Sequence, residues 1–313
     1  MLIYIIMLKK YTYNFGSSRI TEGSVAERPN SGTLVKDLNP IIYSIVIPVY
    51  NQEAIIVKNL QSIINHTLEN FEIIIILDFC FDNTEKNLID FLDNYVNTKT
   101  NFIQISIFKN IDKPLFETKC DNIGFKNSNG KYCLEIQADM EMTEFGYNIH
   151  LTKPFHLFDN ILAVSGRCAH NLFDGNGVGK LGYDIENPIN TLNIDKNSFY
   201  VYESCNRGPL LIDLAKLKEL NFLNEEDYFL DNSDHDLMAR AFLEKNYICG
   251  YMPIDFNAPL CDGSTRKNNY INCNEYLINE EEKKRLTQLY NNKPGLNKYR
   301  SVWKNRNHIV YNL

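Results

Sequence analysis

The amino-acid sequence predicts an α/β fold with a parallel sheet covered by helices on both faces. Three observations predict it. Short apolar, β-branched runs stop abruptly at polar residues, as in Ile45-Val46-Ile47-Pro48-Val49-Tyr50-Asn51-Gln52-Glu53 and Glu135-Ile136-Gln137-Ala138-Asp139-Met140-Glu141. Segments between such runs carry apolar residues at the spacing of one helix face, and the two patterns alternate from Tyr43 to Gln137. That alternation is the signature of strands joined by helical crossovers.

Taken in order, Tyr43 to Val49 reads as a buried strand, and Glu53 to His66 as a helix with Ile56, Leu60, Ile63 and Ile64 on one face. Phe71 to Leu77 is a second strand, followed by a helix from Asn83 to Tyr95 that places Leu88, Phe91, Leu92 and Tyr95 together. Phe102 to Phe108 is a third strand, Leu115 to Asn127 a helix, and Lys131 to Gln137 a fourth strand. In the less regular second half, Ile161 to Gly166, Pro209 to Ile212 and Tyr247 to Met252 read as strands. Leu214 to Leu220 and Asp234 to Lys245 read as helices, and the Gly/Asn/Asp-rich stretch from Asn171 to Ser198 has turn composition. Gly16 to Asn39 has no apolar period and reads as a linker. The expected organisation is an arm over 1–40, a main domain over 41–260 with halves at 41–141 and 142–260, and a loop and helical extension over 261–313 that closes the site.

Composition narrows the function classes. Among 313 residues, 32 basic side chains face 39 acidic ones for a net charge of −7, so there is no electrostatic footprint for nucleic acid. Eight cysteines stand at 80, 120, 133, 168, 205, 249, 261 and 273 with no Cys-x-x-Cys pair, which reads as reduced structural thiols. The apolar run from Met1 to Leu8 is too short to cross a bilayer and lacks the flanks of a signal peptide. A soluble cytoplasmic protein is the expectation.

The residues at the strand ends suggest chemistry. Pro48 disfavours helix for Ile47, and the aromatic, amide and carboxylate beyond it suit a flat base and a ribose. Tyr50 is either a core aromatic or a base-stacking group; Glu53 is either a ribose contact or a first-turn helix acid stabilised by the helix dipole. Asp78 ends a run of isoleucines, where an isolated carboxylate is costly without a partner. Asp82 and Thr84 are turn and helix-cap residues. Asp139 with Glu141 offers hard oxygens that suit Mg²⁺ or Mn²⁺ bridging a diphosphate. Asp231, Asp234 and Asp236 crowd a helix start, where a carboxylate is placed to act as a general base. Ser233 and Asp236 also match a capping box, which assigns Asp236 a structural task, and Arg240 is an ion-pair partner. Asp262-Gly263-Ser264-Thr265-Arg266-Lys267 is either a lid over a diphosphate or a solvated basic loop.

The ordered succession of IPVYNQE, Leu77-Asp78 with Asp82-Asn83-Thr84, Cys120-Asp121-Asn122-Ile123-Gly124, GKYCLEIQADMEM, Asn206-Arg207-Gly208-Pro209, Phe222-Leu223 and Ser233-Asp234-His235-Asp236-Leu237 with Arg240 resembles family-2 glycosyltransferases over residues 42 to 256. The resemblance implies a GT-A fold, with one Rossmann-like mixed sheet, and inverting transfer of a sugar from a nucleotide diphosphate, a UDP-sugar, to a glycan or protein acceptor with a divalent cation. It implies that Asp78 hydrogen-bonds the base, that Asp139 meets the metal and that Asp234 is the base of the reaction. Two departures stand out. The usual Asp-x-Asp reads Gln137-Ala138-Asp139, which weakens metal dependence, and Asp121 stands where many relatives carry an arginine, leaving Lys119 to supply the charge. The expected donor-binding set is therefore Pro48, Tyr50, Glu53, Asp78, Lys119, Asn122, Gln137, Ala138, Arg266 and Lys267, with metal at Asp139 and Glu141. A sugar nucleotidyltransferase would need a Gly-rich basic loop after the first strand, where this chain has Tyr50-Asn51-Gln52-Glu53. A binding protein with an impaired site is the alternative that Gln137 keeps open.

Overall fold

The structure, a computed structural model, describes residues 8–14, 40–170, 180–182, 194–230, 232–258, 284, 288 and 309–313. The first half contains β1 (Leu8–Asn14), β2 (Tyr43–Val49), α1 (Ile56–His66), β3 (Phe71–Asp78), α2 (Thr84–Asn94), β4 (Phe102–Asn110), α3 (Glu117–Lys126) and β5 (Tyr132–Glu135). There follow β6 (Glu141–Met142), α4 (Tyr147–Leu157), β7 (Ile161–Ser165), β8 (Cys168–His170), β9 (Lys180–Gly182), β10 (Ser198–Tyr202) and β11 (Ser204–Cys205). The last elements are β12 (Leu210–Asp213), α5 (Leu214–Glu219), α6 (Ser233–Lys245), β13 (Ile248–Tyr251), β14 (Phe256–Asn257) and β15 (Ile309–Asn312).

One mixed sheet of ten strands, in the order β1-β4-β3-β2-β5-β12-β7-β13-β10-β15, forms the centre. Strands β4, β3, β2 and β5 run parallel, β12 is antiparallel to both β5 and β7, and β13 is parallel to β7. Side chains alternate across each strand, so two cores result. Ile45, Ile47, Ile73 and Ile75 face α1, α2 and α4, whereas Val46, Ile74 and Ile76 face α3, α5 and α6. Helices therefore lie on both faces, as expected from the alternating pattern.

The chain leaves β2 toward β3 and β4 on one side, then returns to place β5 on the other. This reversal opens a crevice beyond the carboxyl ends of β2 and β5, the place where open α/β sheets bind ligands. Ladder pairing between the two strands extends to Val46 and Glu135, and one more bond joins Ile136 N–H to Val46 O at 3.0 Å. Past that point the chains diverge. Antiparallel β12 brings its amino end, Leu210, opposite Glu135 and Ser165, so the Asn206–Pro209 turn arrives at the same edge.

Three features depart from the expected organisation. Leu8–Asn14, assigned to the arm over 1–40, pairs with β4 as an edge strand, and Ile309–Asn312, in the extension, pairs with β10. Helix α4 has no counterpart in the reading; Pro154 in its last turn and a weakly amphipathic pattern hide it. The Gly16–Asn39 linker and most of the extension, with Arg266 and Lys267, lie outside the described residues.

Gly124 sets how closely α3 approaches the sheet. A Cβ there would lie 2.2 Å from Val46 Cγ1, so an alanine must displace β2 or the helix. Gly124→Ala is expected to lose about 1–3 kcal/mol by overpacking, although alanine gains about 1 kcal/mol of helix propensity. Urea unfolding measures this, with Gly124→Ala/Val46→Ala recovering most of the loss; an unchanged midpoint in the single variant contradicts it.

Candidate functional site

Two loops at the carboxyl ends of β2 and β3 are stitched together side by side. Gln52 N–H donates to Thr84 Oγ1 at 2.6 Å, Glu53 N–H to Asp82 Oδ2 at 3.1 Å, and Phe81 N–H to Asn51 Oδ1 at 3.0 Å. In return, Glu53 Oε2 accepts from Asn83 N–H at 2.9 Å and from its amide at 2.8 Å. Glu53 lies before the first turn of α1, so the helix-acid reading gives way to a loop clamp. Asn51 (φ 48°) and Phe79 (φ 53°) both adopt left-handed backbone, which is costly for a phenylalanine and fixes the loop shape at this edge. The clamp leaves an aromatic corner: the Tyr50 and Phe81 rings meet edge to face with centroids 6.0 Å apart, and Phe81 is 52% exposed. Phe81 did not stand out in the sequence because it interrupts a turn with no periodic pattern.

Asp78 is buried, and its carboxylate has protein partners. It accepts from Asn110 Nδ2 at 2.7 Å, from Leu115 N–H at 2.9 and 3.0 Å, and from Phe116 N–H at 2.9 Å. Burial pushes its pKa up against these donors. Asp78, expected to contact the base, thus also straps the β4–α3 loop to the end of β3. Asn122 is likewise committed: its amide bonds Leu223 O and Glu225 Oε2, each at 2.9 Å, and its oxygen accepts from Leu223 N–H at 3.0 Å. Pro48 lies within β2 and Ala138 is buried in the core.

After β5 the chain turns sharply, with Met140 N–H on Gln137 O at 3.1 Å. Asn59 of α1 holds this turn from below, donating to Gln137 O at 3.1 Å and to Met140 O at 2.6 Å. Asp139 projects from the turn at 8% exposure, and Glu141 opens β6 opposite Asn257. Gln137 bridges two charges: its Nε2 donates to Glu117 Oε1 at 3.1 Å, and its Oε1 accepts from Arg167 NH1 at 2.9 Å. A carboxylate could not donate to Glu117, so the amide fits where the resemblance implied an acid.

Behind this turn lies a buried charge cage. The Arg207 guanidinium is 2.7 Å from Asp121 Oδ2, 3.6 Å from Glu117 and 4.0 Å from Asp234, and it donates to Leu230 O at 2.5 Å. Its own N–H and that of the next residue also engage acids, Arg207 N–H on Asp234 Oδ2 at 3.3 Å and Gly208 N–H on Glu135 Oε2 at 2.6 Å. Gly208 has φ 63°, and a Cβ there would meet Gln137 Cγ at 2.7 Å. Burial raises Asp121 to about 7 despite Arg207, and burial together with Asp121 and Glu117 raises Glu135 well above the ordinary range. Of the four carboxylates around this guanidinium, Asp121 and Glu135 are thus shifted toward the protonated form. Arg207, not Lys119, supplies the cation against Asp121, a pairing across 86 positions that no local pattern reveals.

Asp234 stands beside this cage in the first turn of α6, whose N-cap is Asn232. Burial pushes its pKa up, but the His235 and Arg207 charges and two backbone N–H donors outweigh it and leave it below the ordinary value. His235 lies against it, with Nδ1 3.9 Å from Asp234 Oδ1 and 2.5 Å from Ser204 Oγ, and its ring meets His170 edge to face. Asp236 pairs with Arg240 Nε at 2.7 Å, the ion pair expected of Arg240, and the N-cap of the helix is Asn232 in place of Ser233.

Two oxygen sets suit a hard divalent cation by donor type: Asp139 with Glu141, and Glu117, Asp121 and Glu135, which each offer an oxygen within 4.8 Å of the others. The second is the only group of three or more such side chains among the described residues, and Arg207 already partly neutralises it.

Residues 44–144 match the family described as glycosyl transferase family 2. No curated protein matches the chain. The fold is similar to that of GalNAc-T7 with UDP, GalNAc and Mn²⁺ at a TM-score of 0.52 and 14% identity, over 69% of this chain and 43% of that one. S. aureus TarS 1–349 in complex with UDP-GlcNAc gives 0.47 and 15% over 69% and 57%, and the Pyrobaculum calidifontis mannosyltransferase PcManGT with GDP-Man and Mn²⁺ gives 0.47 and 13% over 70% and 58%. The chain thus spans about half the length of these proteins, and the likeness is one of fold. Residues 44–144 of this chain thus match glycosyl transferase family 2, and the fold is of the GT-A type.

Proposed function

We propose that the chain is an inverting glycosyltransferase that moves a sugar from a nucleotide diphosphate, uridine-based, to an acceptor hydroxyl. One observation carries the reading: the Arg207–Gly208 turn joins Asp234 to the Gln137–Met140 turn at the β2/β5 crevice. A candidate base and a candidate diphosphate-facing turn are thereby fixed relative to each other, which is the positioning that transfer demands. The Tyr50 and Phe81 corner offers the flat face for a base, with Asp78 at the neighbouring strand end.

In this reading Asp234 accepts the proton of the acceptor hydroxyl as that oxygen attacks the anomeric carbon, on the face opposite the leaving diphosphate. Its depressed pKa keeps it ionised in the resting site. His235 orients and charges the same carboxylate, while the Gln137–Met140 turn receives the diphosphate end. A divalent cation on Asp139 and Glu141 would supply neutralisation of the departing charge. The 41–141 half then holds the donor and the 142–260 half the acceptor.

Asp234→Asn is expected to keep the fold and UDP affinity while losing transfer by at least roughly 10²-fold. Turnover with a UDP-sugar panel, with UDP calorimetry as control, checks it; an Asn variant as active as wild type moves the base elsewhere.

The cage also predicts a pH dependence of stability. Asp121, raised to about 7, and Glu135, raised well above its ordinary range, let the fold bind more protons than the unfolded chain above their ordinary values. Stability is therefore fullest in mild acid and is lost as the pH climbs through that window. The melting temperature should fall from about pH 5 to about pH 8, and Glu135→Gln should flatten the fall; a wild-type curve that rises over this interval is the contrary result.

A further inference from the structure

The two arginines at this edge differ in their charge balance. Arg207 is buried among four carboxylates, and its charge is consumed by the fold. Arg167 follows β7 at the same carboxyl edge, is only partly buried, and directs NH1 to the neutral Gln137 Oε1 at 2.9 Å. Among the described residues it forms no ion pair with any carboxylate.

The position of this guanidinium is well determined. Its backbone N–H is tied to Ser165 Oγ at 3.0 Å, and Gly166 N–H bonds Pro209 O at 2.8 Å, so the β7 end is anchored to the Arg207–Pro209 turn. Gln137 is held in its turn, by Glu117 on its amide nitrogen and by Gly208 against its methylenes. An amide at 137 therefore orients Arg167 without cancelling its charge, whereas a carboxylate would form an ion pair and consume it. Asp139, two positions on, belongs to the same turn.

We infer that Arg167, oriented by Gln137, is an anion subsite that takes a phosphate of the nucleoside diphosphate. The inference rests on the reading of the crevice as a nucleotide-sugar site and goes further, assigning part of the diphosphate charge to a guanidinium instead of a cation. Arg167 donates fork-like N–H bonds to phosphate oxygens, the geometry for which guanidinium is suited. Substituting an acid at 137 would trade this subsite for a stronger need of metal.

Calorimetry on the full chain in EDTA tests it, with UDP, uridine and inorganic pyrophosphate as probes. Arg167→Gln should weaken UDP by about tenfold or more, the loss of one charge-assisted contact, abolish detectable pyrophosphate binding, and leave uridine and the melting temperature unchanged. Gln137→Glu should weaken both phosphate probes in EDTA, because the new carboxylate occupies Arg167. Equal UDP and pyrophosphate affinities in wild type and Arg167→Gln overturn the subsite. Pyrophosphate bound through Arg167 without any affinity for UDP or other nucleoside diphosphates would keep the subsite and remove the nucleotide reading; a wild type that binds neither probe overturns both.

Discussion

The Arg207 guanidinium fixes the geometry of the carboxyl edge. It draws in Glu117 and Asp121 from α3 and Asp234 from α6, and the peptide that follows it caps Glu135 at the end of β5. A buried charge is expensive to desolvate, so such a cage persists only where the donors and acceptors are mutually satisfied. Asp121 Oδ2, Leu230 O and the two peptide N–H groups meet that condition for the arginine and its loop. The excess of acid is absorbed by protonation, for which burial of Asp121 and Glu135 provides the driving force. Removing Arg207 would leave several carboxylates without a counterion and release the turn against which Gln137 is packed.

Acids at this edge consequently divide into two kinds. Asp78, Asp121, Glu135 and Glu53 each have at least one oxygen engaged by backbone or side-chain donors of loops and helices, and they hold the crevice in shape. Asp139, Glu141 and Asp234 stand on turns or helix starts around the opening, Asp234 with a backbone N–H on each oxygen. The left-handed backbone at Asn51 and Phe79 belongs to the first group of constraints, since it stores strain that the stitched loops hold in place.

How much of this was legible in the sequence follows from the range of the interactions. The strands Tyr43–Val49 and Phe71–Asp78 and the helices between β2 and β5 appear within a residue or a few of their expected limits, because periodicity is local. Strands β1 and β15 pair with partners distant in the chain and carry no turn that announces them. The same holds at the site. Asp78 and Asn122 were visible as polar residues in the right places, but a sequence does not show what fills their lone pairs. Gln137 looked like a loss and became intelligible only with Glu117 on one side and Arg167 on the other.

The central claim is that a nucleotide sugar occupies the crevice beyond β2 and β5. Hydrogen–deuterium exchange on the full chain with and without UDP tests it most directly, since a bound ligand protects the backbone it covers. The account predicts added protection at 50–53, 79–84 and 137–141 together with 206–208, and none at the opposite edge around 70–71 and 129–131. Protection confined to that opposite edge, or an exchange pattern indifferent to UDP and to other nucleoside diphosphates, would contradict it.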